Sequence, residues 1–391
     1  MRNNTKRICR LIGVCLLAIL SFLACCGTQG GTEETVKTES SLIPGGSMEL
    51  KYATQFAVDF YEDCTLVTIH GQNRYLVVPE GEEPSQETIR EISQKGTGDF
   101  FVLRRPLNHI YLVSTSTMDF FVQLEGLDNI RLSGTRANGW YLDEAVSYME
   151  EDKILYAGKY SAPDYELILD EGCDLALENT MIFHNPEVKE QLENLGIPVL
   201  VEYSSYEPNP LGRLEWIRLY GVLLGKEEQA DSLFENWLLD LEPVLNQEKT
   251  GQTVAFFYIT KNKTANIRKP NDYLAQMIAM AGGEYIFVDI AQEEENALST
   301  MNIDMEAFYQ KAKDADYLIY NCTIDDELHS LEELLDKSPL LSDFKAVQEV
   351  NVYCTGKNFF QETTGMGQFI LELHGILEDS GDEGVFLRRL Q

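Results

Sequence analysis

Between residues 49 and 78 the chain alternates apolar and polar positions, in FAVDFYEDCTLVTIHGQNRYLVV, with turn residues at Glu62-Asp63 and Gly71-Gln72-Asn73. A period of two turns one set of side chains to a core and the other to water, so a three-strand antiparallel meander is expected. Pro79 to Gly98 is polar and acidic, which predicts a surface connection with one short helix. From His109 the rhythm changes. His109 to Val113 is an apolar run that ends at Ser114-Thr115-Ser116-Thr117, and Met118 to Leu124 has helical spacing. Cys173 to Leu177 and Ile197 to Val201 read as buried strands on either side of a helix from Asn185 to Leu195. That helix has a capping Asn185, Pro186 at its first position, Val188, Leu192 and Leu195 on one face, and Gly196 to close it.

Leu211 to Glu248 is helical throughout. A first segment, LGRLEWIRLYGVLLG, ends at Gly225; a second carries Ala230, Leu233, Phe234, Trp237, Leu238 and Leu241 on one face, with Pro243 near its end. At about 1.5 Å per residue such a helix is long enough to bridge two lobes. The strand and helix rhythm then resumes. Thr253 to Ile259, Tyr285 to Val288, Asp316 to Tyr320 and Val350 to Cys354 are strand-like, and Asp272 to Ala281, Asp304 to Lys313 and Gly365 to Leu377 are helical. The expected fold is α/β, with two Rossmann-like lobes of mainly parallel sheet joined by a long connector helix.

The amino terminus differs in kind. Arg2, Lys6, Arg7 and Arg10 precede an apolar run of 14 residues, LIGVCLLAILSFLA, which is too short to cross a hydrocarbon core of about 30 Å and reads as a signal peptide. FLACCG resembles a bacterial lipobox, and two registers fit: Cys25 follows Ala24, whereas Cys26 has Leu23 and Ala24 upstream but follows another cysteine. An ordinary cleaved signal is the other reading. GTQGGTEETVKTESSLIPGGS, residues 27–47, is too polar to fold and is expected to be a flexible tether. The expected parts are thus 1–26 signal peptide and lipobox, 27–47 tether, 48–210 first lobe including the meander, 211–249 connector, and 250–391 second lobe. The protein is expected on the outer side of the cytoplasmic membrane, held by a lipid anchor.

The chain carries 31 Lys and Arg against 64 Asp and Glu, a formal charge of -33. Removing the leader takes four positive charges and leaves 27 against 64, or -37. Such a surface repels phosphate backbones and anionic lipid, so nucleic acid is excluded as a partner. No G-x-S-x-G, P-loop or G-x-G-x-x-G occurs, the five histidines are isolated, and the cysteines form no metal-binding pattern. No catalytic residue, resident metal or cofactor is expected.

Four phrases carry a resemblance. They are Pro163-Asp164-Tyr165-Glu166 leading into Cys173-Asp174-Leu175-Ala176; Lys189-Glu190-Gln191-Leu192 running to Gly196-Ile197-Pro198-Val199; Leu219-Tyr220-Gly221 running to Lys226-Glu227-Glu228-Gln229-Ala230; and Leu274 to Gly283. In this order they are similar to the class III substrate-binding proteins of ABC importers, over about residues 100–391. The usual proline is replaced here by Cys173. The resemblance implies a monomeric receptor that binds a ferric siderophore, haem or cobamide between two lobes and hands it to a permease with its ATPase. It also implies that Glu166 and Glu306 meet arginines of the permease. Helix-start glutamates are otherwise ordinary dipole partners.

Ligands of open parallel sheets bind outside the carboxyl ends of strands. That rule selects Ser114, Thr115, Trp140, Tyr141, Asn179, His184 and Tyr206 in the first lobe, and Lys261, Arg268, Lys269 and Asn321 in the second. Lys261, Lys263, Arg268 and Lys269 form a basic stretch on a predicted loop, which would draw anionic groups or simply be solvated. Trp140 and Tyr141, near Arg131 and Arg136, either cover a flat ligand or belong to the core. Two other readings remain: a surface-anchored α/β enzyme with an acidic cleft, and a binding or sensory lipoprotein that does not serve transport.

Overall fold

The computed structural model describes residues 45–71, 73–95, 100–290, 299–325, 327–381 and 384–391. The leader, Cys25, Cys26 and the tether up to Pro44 lie outside the described residues. The tether was expected to reach Ser47, but the chain is already paired before that point. The Gly45 amide donates to the Phe60 carbonyl at 2.7 Å and Ser47 bridges to Asp59, because an open strand edge satisfies backbone groups that would otherwise face water.

The meander is present as β1 (Phe56–Phe60), β2 (Thr65–Ile69) and β3 (Asn73–Val78), each antiparallel to the next. A helix, Gln86–Lys95, follows, and β4 (Phe101–Arg104) returns parallel to β3. Ile92 of that helix closes a small core of its own with Cys64, Leu66, Leu76 and Val78. Two buried glutamates fasten this sheet to the rest of the molecule. Glu215 accepts from the amides of Lys51, Tyr52 and Ala53 at 2.7–2.8 Å, and Glu207 accepts from those of Thr54 and Gln55 and from the indole of Trp216.

The first lobe follows with β5 (Ile110–Leu112), β6 (Ile130–Ser133), β7 (Leu155–Tyr156), a hairpin of β8 (Gly158–Lys159) and β9 (Ala162–Pro163), then β10 (Leu175–Asn179) and β11 (Val199–Glu202). Its main sheet is wholly parallel in the order β11-β10-β5-β6-β7. The second lobe contains β12 (Thr253–Ile259), β13 (Ala265–Arg268), β14 (Glu284–Tyr285), β15 (Thr300–Ile303), β16 (Tyr317–Tyr320), β17 (Val352–Thr355) and β18 (Leu387–Arg389). β12, β14, β16 and β17 run parallel, whereas β13, β15 and β18 are antiparallel to their neighbours. The stretch expected as a loop from Thr260 to Lys269 is therefore a hairpin. Ala265 and Ile267 are buried on alternate positions, a period of two that the surrounding charges concealed.

The connector is three helices rather than two: Pro210–Glu215, Ile217–Leu224 and Glu227–Leu245. The first two part at Trp216. Gly225, at φ 70°, takes the left-handed cap that turns the chain into the third. Phe234 and Leu241 of that third helix are buried, and it packs on both Ile217–Leu224 and the second-lobe helix Met366–Leu377.

Candidate functional site

The two lobes face each other across a cavity of about 340 Å³. Ser205 reaches it from the end of β11, Arg213 from the first connector helix, Arg268 from β13, and Asn321 from the end of β16. Tyr258, Tyr273 and Phe360 supply aromatic wall. On one flank, Gln361 donates to the Gly139 carbonyl at 2.9 Å and accepts from the Tyr141 amide at 2.8 Å. Beside it, the Thr363 hydroxyl donates to the Ser116 carbonyl, and the Thr364 amide and hydroxyl both donate to buried Asp119 at 2.6–2.7 Å. Burial pushes the Asp119 carboxyl up, against the pull of those Thr364 bonds. On the other flank Gln276 donates to the Pro208 carbonyl, and the Arg213 guanidinium lies 4.0 Å from the centre of the Tyr273 ring.

The electrostatics of the cavity rest on two arginines. Arg268 is 8 % exposed, donates to the Ser299 hydroxyl at 3.0 Å and stands 3.7 Å from Asp272. Asp272 also caps the helix Tyr273–Met280, and burial raises its carboxyl even though Arg268 opposes the shift. Arg213 is 5 % exposed, and its Nε has no hydrogen-bond partner among the described residues. Glu202 faces Arg213 electrostatically, but its side chain accepts from the Ser204 amide and burial holds its carboxyl up.

Several residues expected at the site are elsewhere. Lys261 and Lys263 are exposed at the hairpin tip, where Lys263 donates to the Lys337 carbonyl at 3.0 Å. Lys269 is buried but does not line the cavity, so of the four basic positions Arg268 alone does so. A hairpin separates its tip from its base, which is why charges close in sequence do not converge. Trp140 is a core residue at 3 % exposure, with its indole donating to Ser133; Tyr141 is exposed and meets Gln361 through its backbone. Arg131 pairs with Glu171, and Arg136 lies over Tyr156 beside a separate 450 Å³ depression on the first lobe.

Ser114 is buried behind Thr115 at the start of the helix Met118–Gln123, and Asn179 caps a short turn that ends in exposed His184. Tyr206 is exposed and packs on Tyr203 at 5.4 Å. Tyr203 also carries a surprise from the first sheet: His70, in the β2 to β3 turn, stacks on it at 4.4 Å with 3° between planes. The appended sheet thus reaches the rim beside Ser205. Sequence reasoning missed Arg213, Glu202, Glu207 and Glu215. A signal existed, because charges set inside an otherwise apolar helix such as LGRLEWIRLYG are forced inward.

An α/β molecule of two lobes closing on a cavity, with opposed hydrogen bonds across the seam, is built as a ligand receptor. The chain belongs to the periplasmic binding protein family, whose model matches residues 115–359. The sheet from β1 to β4 precedes the matched segment. An uncharacterized lipoprotein of Methanocaldococcus jannaschii is 24% identical over 278 residues, 67% of this chain and 63% of its own length. A second lipoprotein of that organism is 29% identical over 218 residues, 54% of either chain, so this chain spans only half to two thirds of these relatives.

Among solved structures, a periplasmic haem-binding protein of Pseudomonas aeruginosa aligns with a TM-score of 0.57 at 15% identity, covering 73% of this chain and 98% of that one. A protein of an Fe3+-hydroxamate transport system from Saccharomonospora viridis gives 0.54 at 18%, covering 69% and 93%. A periplasmic vitamin B12-binding protein of Vibrio cholerae gives 0.50 at 14%, covering 70% and 98%. These neighbours share the fold, and both they and the family are solute-binding proteins rather than enzymes.

Proposed function

We propose that the protein is the lipid-anchored receptor of an ABC importer, which captures an iron complex (siderophore or haem) or a cobamide between its lobes and delivers it to the permease. The observation that carries this reading is a device repeated in both lobes. In the first, Asp164 caps the helix Tyr165–Asp170 by accepting from the Leu167 amide at 3.1 Å, Glu166 is exposed, and Ile168 is buried. In the second, Asp304 caps the helix Met305–Ala312 by accepting from the Ala307 amide at 2.7 Å, Glu306 is exposed, and Phe308 is buried. Each helix leads to an aspartate at a strand entrance that ties down the neighbouring strand: Asp174 holds the Asn108 and His109 amides, and Asp316 holds the Thr253 amide.

Neither Glu166 nor Glu306 is in an ion pair among the described residues. Each is therefore open to an arginine of a partner, in a pair that is directional and reversible. Cys25 or Cys26 supplies the lipid anchor, a role in keeping with the lipoprotein names of the two relatives. Charge reversal at both glutamates, Glu166→Arg with Glu306→Arg, abolishes uptake into cells while ligand affinity of the purified protein stays at the wild-type value. Loss of affinity in that variant would show that the two residues do not serve docking.

A further inference from the structure

We infer that the cavity between the lobes recognises a compact chelate through a carboxylate taken jointly by Arg213 and Arg268. This deepens the receptor reading above and rests on it. Arg213 is the residue that points to a ligand. It is buried, in no ion pair among the described residues, and its Nε has no partner, although its guanidinium lines the cavity. Nearby acids do not relieve it, because Glu202 accepts from Ser204 and Asp272 pairs with Arg268 while capping a helix. The guanidinium is thus a buried charge without a counter-ion, and an anionic group in the cavity supplies one on binding.

The geometry selects the kind of oxygen. Tyr273 lies 4.0 Å from the guanidinium of Arg213, and Phe360 lies 4.6 Å from that of Arg268. A guanidinium covered on its face by a ring presents its N–H edge, the arrangement that takes a planar carboxylate by two parallel bonds. Phosphate is the other anion that such a pair can take, and the titration below separates the two. At about 340 Å³ the cavity stands at the small end of the range of roughly 300–1,000 Å³ for ligand pockets, which suits a compact polycarboxylate complex better than a macrocycle. Asn266 and Asn321 provide neutral polar partners for its remaining oxygens.

The test is calorimetric titration of the full-length protein with citrate, ferric citrate, inorganic phosphate, haem and cyanocobalamin. It is repeated with Arg213→Gln, Arg268→Gln and the charge-keeping Arg213→Lys, each first shown by its melting temperature to be folded. Ferric citrate is expected to bind, with affinity at least tenfold weaker in Arg213→Gln and in Arg268→Gln. Arg213→Lys is expected to be intermediate, because lysine keeps the charge and loses the paired geometry. Unchanged affinity in Arg213→Gln and Arg213→Lys overturns the proposal, as does binding of phosphate in place of the carboxylates. Binding of haem or cyanocobalamin alone, indifferent to both arginines, overturns it while leaving the receptor reading in place. If none of the five probes binds, the carboxylate proposal falls, whereas the receptor reading is decided by the uptake assay with Glu166→Arg and Glu306→Arg.

Discussion

Glu215→Gln tests whether a single buried carboxylate holds the first sheet to the molecule. Glu215 is fully buried; its Oε1 accepts from the Lys51 amide at 2.8 Å and from Arg218 at 3.2 Å, and its Oε2 accepts from the Tyr52 and Ala53 amides at 2.7 and 2.8 Å. Glutamine keeps one oxygen and turns an amide N–H₂ toward the other pair of donors, so two of the four bonds are lost whichever way it rotates. At about 1.5–3 kcal/mol for each bond to a charged acceptor, the loss is about 3–6 kcal/mol. Urea unfolding measures the total. Hydrogen exchange assigns it, since protection at the Lys51 to Ala53 amides should fall about a hundredfold or more, because each 1.4 kcal/mol is tenfold. Thr54 and Gln55 should keep more protection, because Glu207 holds them independently at 2.8–3.0 Å. A loss below about 1 kcal/mol with unchanged exchange would refute the clamp, since it lies outside the range for buried charge-assisted bonds.

Glu178 is fully buried, neither carboxylate oxygen has a hydrogen-bond partner among the described residues, and burial pushes its carboxyl from 4.5 up to about 8. Folding therefore favours its protonated form; the stability it lends is whole below about pH 4.5 and is lost as pH rises to about 8, a change of up to about 4 kcal/mol. Glu178→Gln should flatten that slope in urea melts between these limits, and an unchanged slope would assign it to other groups. Gly158→Ala should cost more than about 2 kcal/mol in thermal melts. Its φ is 87°, and a Cβ there would run into the Ala162 carbonyl and lie 2.8 Å from the Pro163 Cα.

The elements that the sequence predicted well are those whose apolar positions make an unbroken run or a clear helical period. The strand Thr253–Ile259 and the helices around Leu274, Phe308 and Phe369 appear within a residue or two of expectation, the strand because it is an almost unbroken buried apolar run and the helices because their apolar positions recur at helical spacing. β13 was hidden for the opposite reason. Ala265 and Ile267 are buried on either side of half-buried Asn266, but lysines and asparagines on either side dominate any reading by composition. The site was legible only in part. Arg268 and Asn321 follow from the rule that ligands sit at strand ends, whereas Arg213 arrives from a connector helix that the rule ignores. His70 comes from a separate sheet, so its contact with Tyr203 depends on how that sheet docks, which no local pattern records.

Charge imbalance ties these findings together. With 64 acidic residues against 31 basic ones, carboxylates that enter the interior cannot all be matched by cations. The structure gives them backbone N–H groups and hydroxyls as well as cations: Glu207 and Glu215 hold the segment before β1, Asp174 and Asp316 hold strand entrances, and Asp119 holds Thr364 across the seam, while Arg218 pairs with Glu215 and Lys345 with Asp316. Such acceptors are directional, so the excess of acid becomes a means of fixing chain segments where an apolar contact would fix only their proximity. The same imbalance gives Arg213 its weight. Where acids outnumber bases two to one, a buried guanidinium lacks an ion pair because of where it is placed and not because partners are scarce. Its position, on the Tyr273 ring and in the lining of the cavity, leaves that charge to whatever the lobes enclose.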